Sequence, residues 1–86
     1  MGEFRTTNDE LPLTAMSTGQ RVRITGFLGG RMLRSRLMAL GLTLGQEVDI
    51  IQNNRGLLIV GFNGGRVALG RGVSQKILAM PVPTSE

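Results

Sequence analysis

The stretch that decides the fold is RMLRSRLMALGLTLG, from Arg31 to Gly45. Its leucines recur three or four positions apart, the spacing that places side chains on one face of an α-helix. We therefore predict a short amphipathic helix from Arg31 to about Leu40, closed by Gly41, that buries one apolar stripe. The stripe consists of Leu33, Leu37, Leu40 and Leu44. Arginines interrupt the same turns and form a basic rim beside the stripe, namely Arg31, Arg34 and Arg36.

Length and composition limit what the rest of the chain can build. The 86 residues suffice for one domain, which we place at residues 11–82, between a disordered tail or cloning remnant at 1–10 and a short tail at 83–86. Cysteine and histidine are both absent, so neither a disulfide nor the commonest soft metal ligands are available. Packing of apolar side chains must therefore hold this small domain together.

Most of the chain outside the helical stretch has the pattern of β-strands. Apolar and polar residues alternate at 20–27 and 46–52, residues 57–62 are apolar nearly throughout, and clusters of glycine and asparagine separate the segments. The run Asn63-Gly64-Gly65 is the strongest hairpin signal. Five strands are predicted, at residues 20–27, 46–52, 57–62, 66–69 and 77–80. With the helix inserted between the first two strands, this count predicts a mainly β fold built as a small five-stranded barrel.

The charge of the chain indicates what kind of partner it binds. The formal charge of +4 results from ten basic residues, nine of them arginine, against six acids. Arginine favours forked contacts with carboxylates, so an acidic partner surface is expected. The three phenylalanines are few platforms for stacking bases, and nucleic acid is not the expected partner. No apolar run approaches the roughly 18 residues of a membrane span, so we expect a cytoplasmic protein without direct membrane insertion.

The acidic residues and the glycines do not form a catalytic motif. Glu47 and Asp49 share the exposed face of one predicted strand, with no partner base or nucleophile nearby in the sequence. Gly65 and Gly70 have the spacing that begins a phosphate-binding loop, but the lysine and hydroxyl residue that the motif requires do not follow. We therefore predict no enzyme activity, no metal site and no cofactor.

The candidate partner-binding residues lie mostly on the predicted helix. Two methionines flank the leucine stripe, and an adaptable, partly exposed methionine beside arginines suits a docking edge. The candidates are Arg31, Met32, Arg34, Met38 and Arg71. A solvated basic face and methionines that overflow from the core are the competing interpretations. The structural core and turn positions of the stretch are Leu33, Leu37, Leu40, Gly41, Leu44 and Gly45.

Two segments resemble one known family. RLMALGL at residues 36–42, with Gly45 and EVDII at 47–51, is similar to the FeoA family of ferrous iron transport accessory proteins. GGRVALGR at 64–71, followed by Ile77, resembles the closing hairpin of that family, and the likeness spans about Leu13 to Val82. The matched positions are Arg36, Leu37, Leu40, Gly41, Gly45, Ala68 and Arg71. The chain departs from the pattern at residues 53–57, where many relatives have a proline-containing loop.

The resemblance implies a fold and a partner that composition alone does not. It implies an SH3-like domain, similar to the C-terminal domains of iron-dependent repressors. It also implies a cytoplasmic protein that works with the FeoB transporter, a membrane protein with a GTPase domain, without its own catalysis and without carrying iron. Two other functions stay open on the residues alone, a nucleic-acid-binding small barrel and a structural module that associates weakly with its own copies.

Overall fold

A computed structural model of the chain describes residues 10–83. The tails predicted from the sequence therefore lie almost wholly outside the described residues. The elements are β1 (Leu11–Pro12), a 3-10 turn (Leu13–Ala15), β2 (Arg21–Phe27), α1 (Arg31–Ala39), β3 (Glu47–Asn54), β4 (Leu57–Phe62), β5 (Gly65–Leu69), a single helical turn α2 (Arg71–Ser74) and β6 (Ile77–Pro81). The prediction of a mainly β fold with one helix inserted after the first long strand is confirmed.

The six strands form one antiparallel sheet in the order β1-β6-β2-β3-β4-β5. The sequence predicted five strands and missed β1. This strand has two residues, one of them proline, and among the described residues it pairs only with β6, through Leu11 and Pro12. Two residues cannot display an alternating pattern, so β1 becomes a strand only because the end of the chain lies beside it.

The core lies on one face of this sheet. Alternate residues of each long strand are buried, as the period of two requires. The buried apolar side chains from the strands are Val22, Ile24, Val48, Ile50, Leu58, Val60, Leu69, Ile77 and Ala79. The register shifts between Ile24 and Gly26 and again between Ile50 and Gln52. Such bulges bend a strand and increase its twist, so both bulges help the sheet to curve around its core.

The end of α1 agrees with the prediction of a helix that is closed by Gly41. The helix stops at Ala39, and Gly41 has a φ of +95°. The Gly41 N–H then donates to the Met38 carbonyl at 2.9 Å, and the Leu42 N–H donates to the Leu37 carbonyl at 2.8 Å. These are the two hydrogen bonds of a Schellman motif, in which a left-handed residue reverses the chain after a helix.

The reversal changes which leucines are buried. Leu37 and Leu42 are enclosed in the core, whereas Leu40 and Leu44 are 47% and 52% exposed. The expectation that Leu40 and Leu44 belong to the buried stripe is therefore wrong, and Leu33 is only half-buried. After Gly41 the chain is no longer helical, so helical spacing no longer predicts which side chains face the core. Leu42, the residue after the glycine, packs in the core instead.

We expect Leu37→Ala to lower the free energy of unfolding by about 2–5 kcal/mol, because it removes a buried side chain and leaves a cavity. Leu40→Ala deletes the same atoms at an exposed site and should change stability far less. Thermal or urea unfolding of the two variants measures the difference. Equal stability losses would contradict the burial that separates these two leucines.

Gly41→Ala should destabilise the domain by roughly 1–2 kcal/mol from backbone strain alone, because a side chain disfavours the left-handed region. A Cβ at this position would also lie 3.1 Å from the Phe62 ring, which adds a steric penalty. Gly45 has a φ of +85° and no neighbour within 4 Å of the position that a Cβ would take, so Gly45→Ala is the matched control. Urea unfolding should show the larger loss for Gly41→Ala.

Candidate functional site

Exposed apolar side chains concentrate on α1 and the segments that flank it. Among residues 10–83, eight large hydrophobic residues are exposed, and five of them lie between residues 28 and 44. These five are Leu28, Met32, Met38, Leu40 and Leu44. We refer to these five residues, together with Arg31, Arg34 and Arg36, as the helix surface. Such a concentration of exposed apolar side chains on a small domain is a candidate for a binding site.

The predicted docking residues of α1 occupy two flanks of the helix. On one flank, Arg34 and Met38 line a groove of about 370 Å³ together with Phe27, Thr43 and Leu44. On the other flank, Arg31 and Met32 line a shallower groove of about 310 Å³ with Ser35 and Arg36. Met32 is 81% exposed and Met38 is 61% exposed, so neither methionine belongs to the core.

Sequence reasoning missed the walls of the first groove. Phe27 is the last residue of β2 and packs partly against the core. Leu44 is expected in the buried stripe because of the leucine spacing. Both reach the groove because the Gly41 turn brings the loop after α1 back toward the end of β2. The loop is held against β2 by a hydrogen bond from the Gly45 N–H to the carbonyl of Ile24, in the middle of that strand, at 2.7 Å. A signal for Leu44 exists in the sequence, since the glycine at position 41 already indicates that the helical pattern ends there.

The helix surface is basic and has no acidic counterpart nearby in the chain. Residues 11–46 contain five arginines and no aspartate or glutamate. Among residues 10–83, the ion pairs join only Arg21 and Arg23 of β2 to Glu47 and Asp49 of β3, at 2.8–3.0 Å. The arginines of α1 therefore have no ionic partner within the described part of the chain.

The start of α1 is poorly stabilised by its own sequence. The N-cap is Gly30, which offers no side-chain oxygen to the free N–H groups, and the first turn has no acidic residue. Arg31 instead places a positive charge at the positive end of the helix dipole, an arrangement that costs about 0.3–1 kcal/mol at an exposed site. An acidic group on a partner would relieve both unfavourable features.

Arg71 has a different setting from the other candidates. It begins α2, where its Nε donates to the Arg55 carbonyl at 2.9 Å, and its side chain lies against Gly56. The buried hydroxyl of Ser74 donates to the Gly56 carbonyl at 2.5 Å. Arg71 thus ties α2 to the turn between β3 and β4, and it lines neither groove beside α1.

That turn lies where the sequence departs from the family pattern. Asn53 holds it in place by donating from Nδ2 to the carbonyls of Thr14 and Met16, at 3.2 and 2.6 Å. The Asn53 Oδ1 accepts a hydrogen bond from the Gly56 N–H at 2.9 Å. The asparagine therefore supplies contacts that fix the shape of this loop without proline.

The carboxylates of β3 are engaged in structure. Arg23 and Arg21 donate hydrogen bonds to Glu47, and this holds the pKa of Glu47 below its usual value. Within residues 10–83, no group of three or more His, Cys, Asp or Glu side chains is arranged to hold a metal ion. Over the same residues, no helix is long and apolar enough to cross a membrane.

The Glu47 ion pairs should make stability depend on pH. Because the folded pKa is lowered, their stabilisation is complete above the unfolded pKa of about 4.3 and is lost as pH falls through the folded value. At pH 7 the melting temperature of Glu47→Gln should therefore lie below that of wild type, and this difference should disappear toward pH 3. Gln52→Ala, at an exposed neutral position of β3, should differ from wild type by the same amount at both pH values. A melting temperature of Glu47→Gln that stays equally far below wild type at pH 3 would contradict a stabilising role of the Glu47 ion pairs.

Comparison with known proteins agrees with the fold and with the resemblance. The model of the FeoA domain family matches residues 11–81. The chain is 30% identical over 67 residues to "Putative Fe(2+) transport protein A" of Methanocaldococcus jannaschii, covering 78% of this chain and 82% of that protein. A crystal structure of an Iron Uptake Regulatory Protein (FeoA) superposes with a TM-score of 0.79 at 27% identity, covering 85% of this chain and 99% of that one.

A repressor shares the fold. A manganese-dependent transcriptional repressor superposes with a TM-score of 0.80 at 16% identity, over 90% of this chain and 44% of the repressor. At this identity the match shows the fold alone. The SH3-like architecture expected from the sequence is thus confirmed.

Proposed function

The chain belongs to the FeoA family, and we propose that it is an accessory protein of ferrous iron transport that binds a FeoB-type transporter in the cytoplasm. The proposed contact is the GTPase-bearing cytoplasmic region of the transporter. The name of the archaeal relative, which refers to Fe(2+) transport, supports the pathway. The proposed role is one of binding, and the exposed apolar and basic side chains on and beside α1 support it.

The helix surface is the observation that carries this proposal. It combines exposed methionine and leucine side chains with three arginines that have no ionic partner among residues 10–83. Apolar side chains in a groove supply most of the affinity of a protein interface, and charges at the rim supply orientation and a faster association. An acidic, partly apolar surface on the transporter fits both features.

The methionines suit a partner that changes shape. Met32 and Met38 are unbranched and lie on opposite flanks of α1, each in its own groove. Such side chains adapt to different partner surfaces without loss of packing. A GTPase region alternates between nucleotide states, and an adaptable surface can stay bound through that change.

The alternative of nucleic-acid binding loses support from the position of the aromatic rings. Phe27 and Phe62 are half-buried and pack partly against the core, so they offer less ring surface for stacking on bases than exposed rings would. Phe4 lies outside the described residues. A basic surface with little exposed aromatic area fits a carboxylate-bearing protein better than single-stranded nucleic acid.

The proposal predicts that Arg31→Glu with Arg34→Glu weakens binding to the soluble GTPase region of the transporter by at least tenfold, because two attractive contacts become repulsive. Arg55→Glu with Arg66→Glu changes the net charge by the same amount away from α1 and is the matched control. Titration calorimetry measures both affinities, and GTP turnover in the same samples separates regulation from scaffolding. Wild-type affinity of the α1 variant, or equal losses in both variants, would rule out docking through the helix surface.

A further inference from the structure

The two edges of the sheet differ in how well they are protected. The β1 edge is two residues long and contains a proline, a common device against pairing with another strand. The opposite edge is β5, which has five residues and, among residues 10–83, pairs only with β4. Gly65, Arg66 and Ala68 of this strand are exposed. The β5 edge is therefore open to another strand.

The turn before β5 determines which of its backbone groups point outward. Asn63 and Gly64 form a two-residue turn, with φ values of +53° and +78°, between the paired residues Phe62 and Gly65. Positive φ at both positions is typical of a type I′ hairpin, whose closing pair exchanges hydrogen bonds. Since pairs alternate along an antiparallel ladder, the N–H and C=O groups of Arg66 and Ala68 point away from β4.

The surroundings of this edge are basic. Residues 50–85 contain three arginines and one lysine, and no aspartate or glutamate. Arg66 lies on β5 itself, and the exposed residues Arg55 and Arg71 lie near the far end of the strand, where Leu69 pairs with Leu58. Glu47 and Asp49 share a groove with Arg66, but their carboxylates already accept hydrogen bonds from Arg21 and Arg23.

We propose that the outer edge of β5 binds an extended acidic segment of a partner protein, which adds to the sheet as a further strand. The backbone groups of Arg66 and Ala68 supply the main-chain hydrogen bonds of such strand addition. The charge of the edge selects against a second copy of this chain, because β5-to-β5 pairing would bring two sets of three arginines together. This surface is separate from the helix surface, and the proposal does not depend on transporter binding.

The geometry of strand pairing specifies the segment. The residue opposite Arg66 lies on the same face, with Cβ atoms about 4.5–5.5 Å apart, so aspartate or glutamate is expected there. Val67 is half-buried and packs against the core cluster, so the partner residue opposite it should be apolar. Ala68 is small and exposed on the same face as Arg66, which leaves room for a second acidic residue opposite it. The expected pattern alternates acidic and apolar residues.

Selection from a displayed library of random twelve-residue peptides against the full chain tests this proposal. We expect the selected peptides to be rich in aspartate and glutamate, with these acidic residues alternating with apolar ones. Amide resonances of Arg66 and Ala68 should shift on titration with a selected synthetic peptide and gain protection from exchange. Recovery of no binding peptides, or of peptides without acidic enrichment, would overturn the proposal.

Variants at one position separate the backbone contact from the side chains. Ala68→Pro removes an outward N–H, which an edge strand tolerates, and should weaken a selected peptide at least tenfold. Ala68→Val keeps the N–H and should bind within about threefold of wild type. Arg66→Glu, an exposed substitution that is expected to leave the fold intact, should also weaken binding at least tenfold.

Sedimentation of the free protein tests whether a second copy of this chain occupies the β5 edge instead. A monomer is expected, and a dimer abolished by Ala68→Pro would show that a second copy takes the edge, which would overturn the proposal. Unchanged peptide affinity in both Ala68→Pro and Arg66→Glu would overturn it as well. Transporter binding plays no part in these measurements, so the proposal for the β5 edge and the proposal for the helix surface can each be refuted without affecting the other.

Discussion

The hydrogen bond from the Leu42 N–H to the Leu37 carbonyl is the contact on which the arrangement of this molecule depends. It closes the left-handed turn at Gly41 and places Leu42 in the core directly after a helix that buries only one residue completely. The sheet can form a core without much help from α1. The turn determines where α1 lies, because few other contacts could position a helix whose surface is mostly exposed. The same turn brings Leu44 beside Phe27 and so creates the apolar groove.

The few acidic residues determine where the basic charge is exposed. Glu47 and Asp49 are adjacent on the outer face of β3, and they engage the two arginines of β2. The other arginines among residues 10–83 fall on two surfaces, one on α1 and one at β5 and the segments near its far end. Acids scattered among the arginines would spread the same net charge of +4 more evenly over the exterior. Here the pairing of both acids with one strand leaves two separate basic areas, each with different geometry, one a grooved helix and the other an open strand edge.

The sequence predicted β2 and β3 well because each has one buried face and hence a period of two, and it predicted β4 from a nearly continuous apolar run. It predicted the helix and its end glycine for a similar reason, since the leucine spacing is strictly local. It failed where tertiary contacts decide. The position of Leu44 is missed because a periodic pattern cannot register a reversal of the chain, and β1 is missed because its pairing partner lies at the opposite end of the domain. Of the candidate site, the sequence left open whether Met32 and Met38 are exposed or belong to the core, and the structure shows that both are exposed. The separate setting of Arg71 depends on a long-range contact with Arg55, which no local pattern contains.

The uncapped start of α1 has a consequence for motion. A helix with glycine at its N-cap, arginine in its first turn and one fully buried side chain has little free energy holding it closed, compared with strands hydrogen-bonded on both sides. Its amides should exchange with solvent through a local opening that leaves the sheet intact, while those of β2 and β3 exchange only when the whole domain unfolds. A ligand that binds the closed helix must order it, and part of the binding energy is used for that ordering. The rigid sheet and the more loosely held helix are therefore two levels of stability within one small domain.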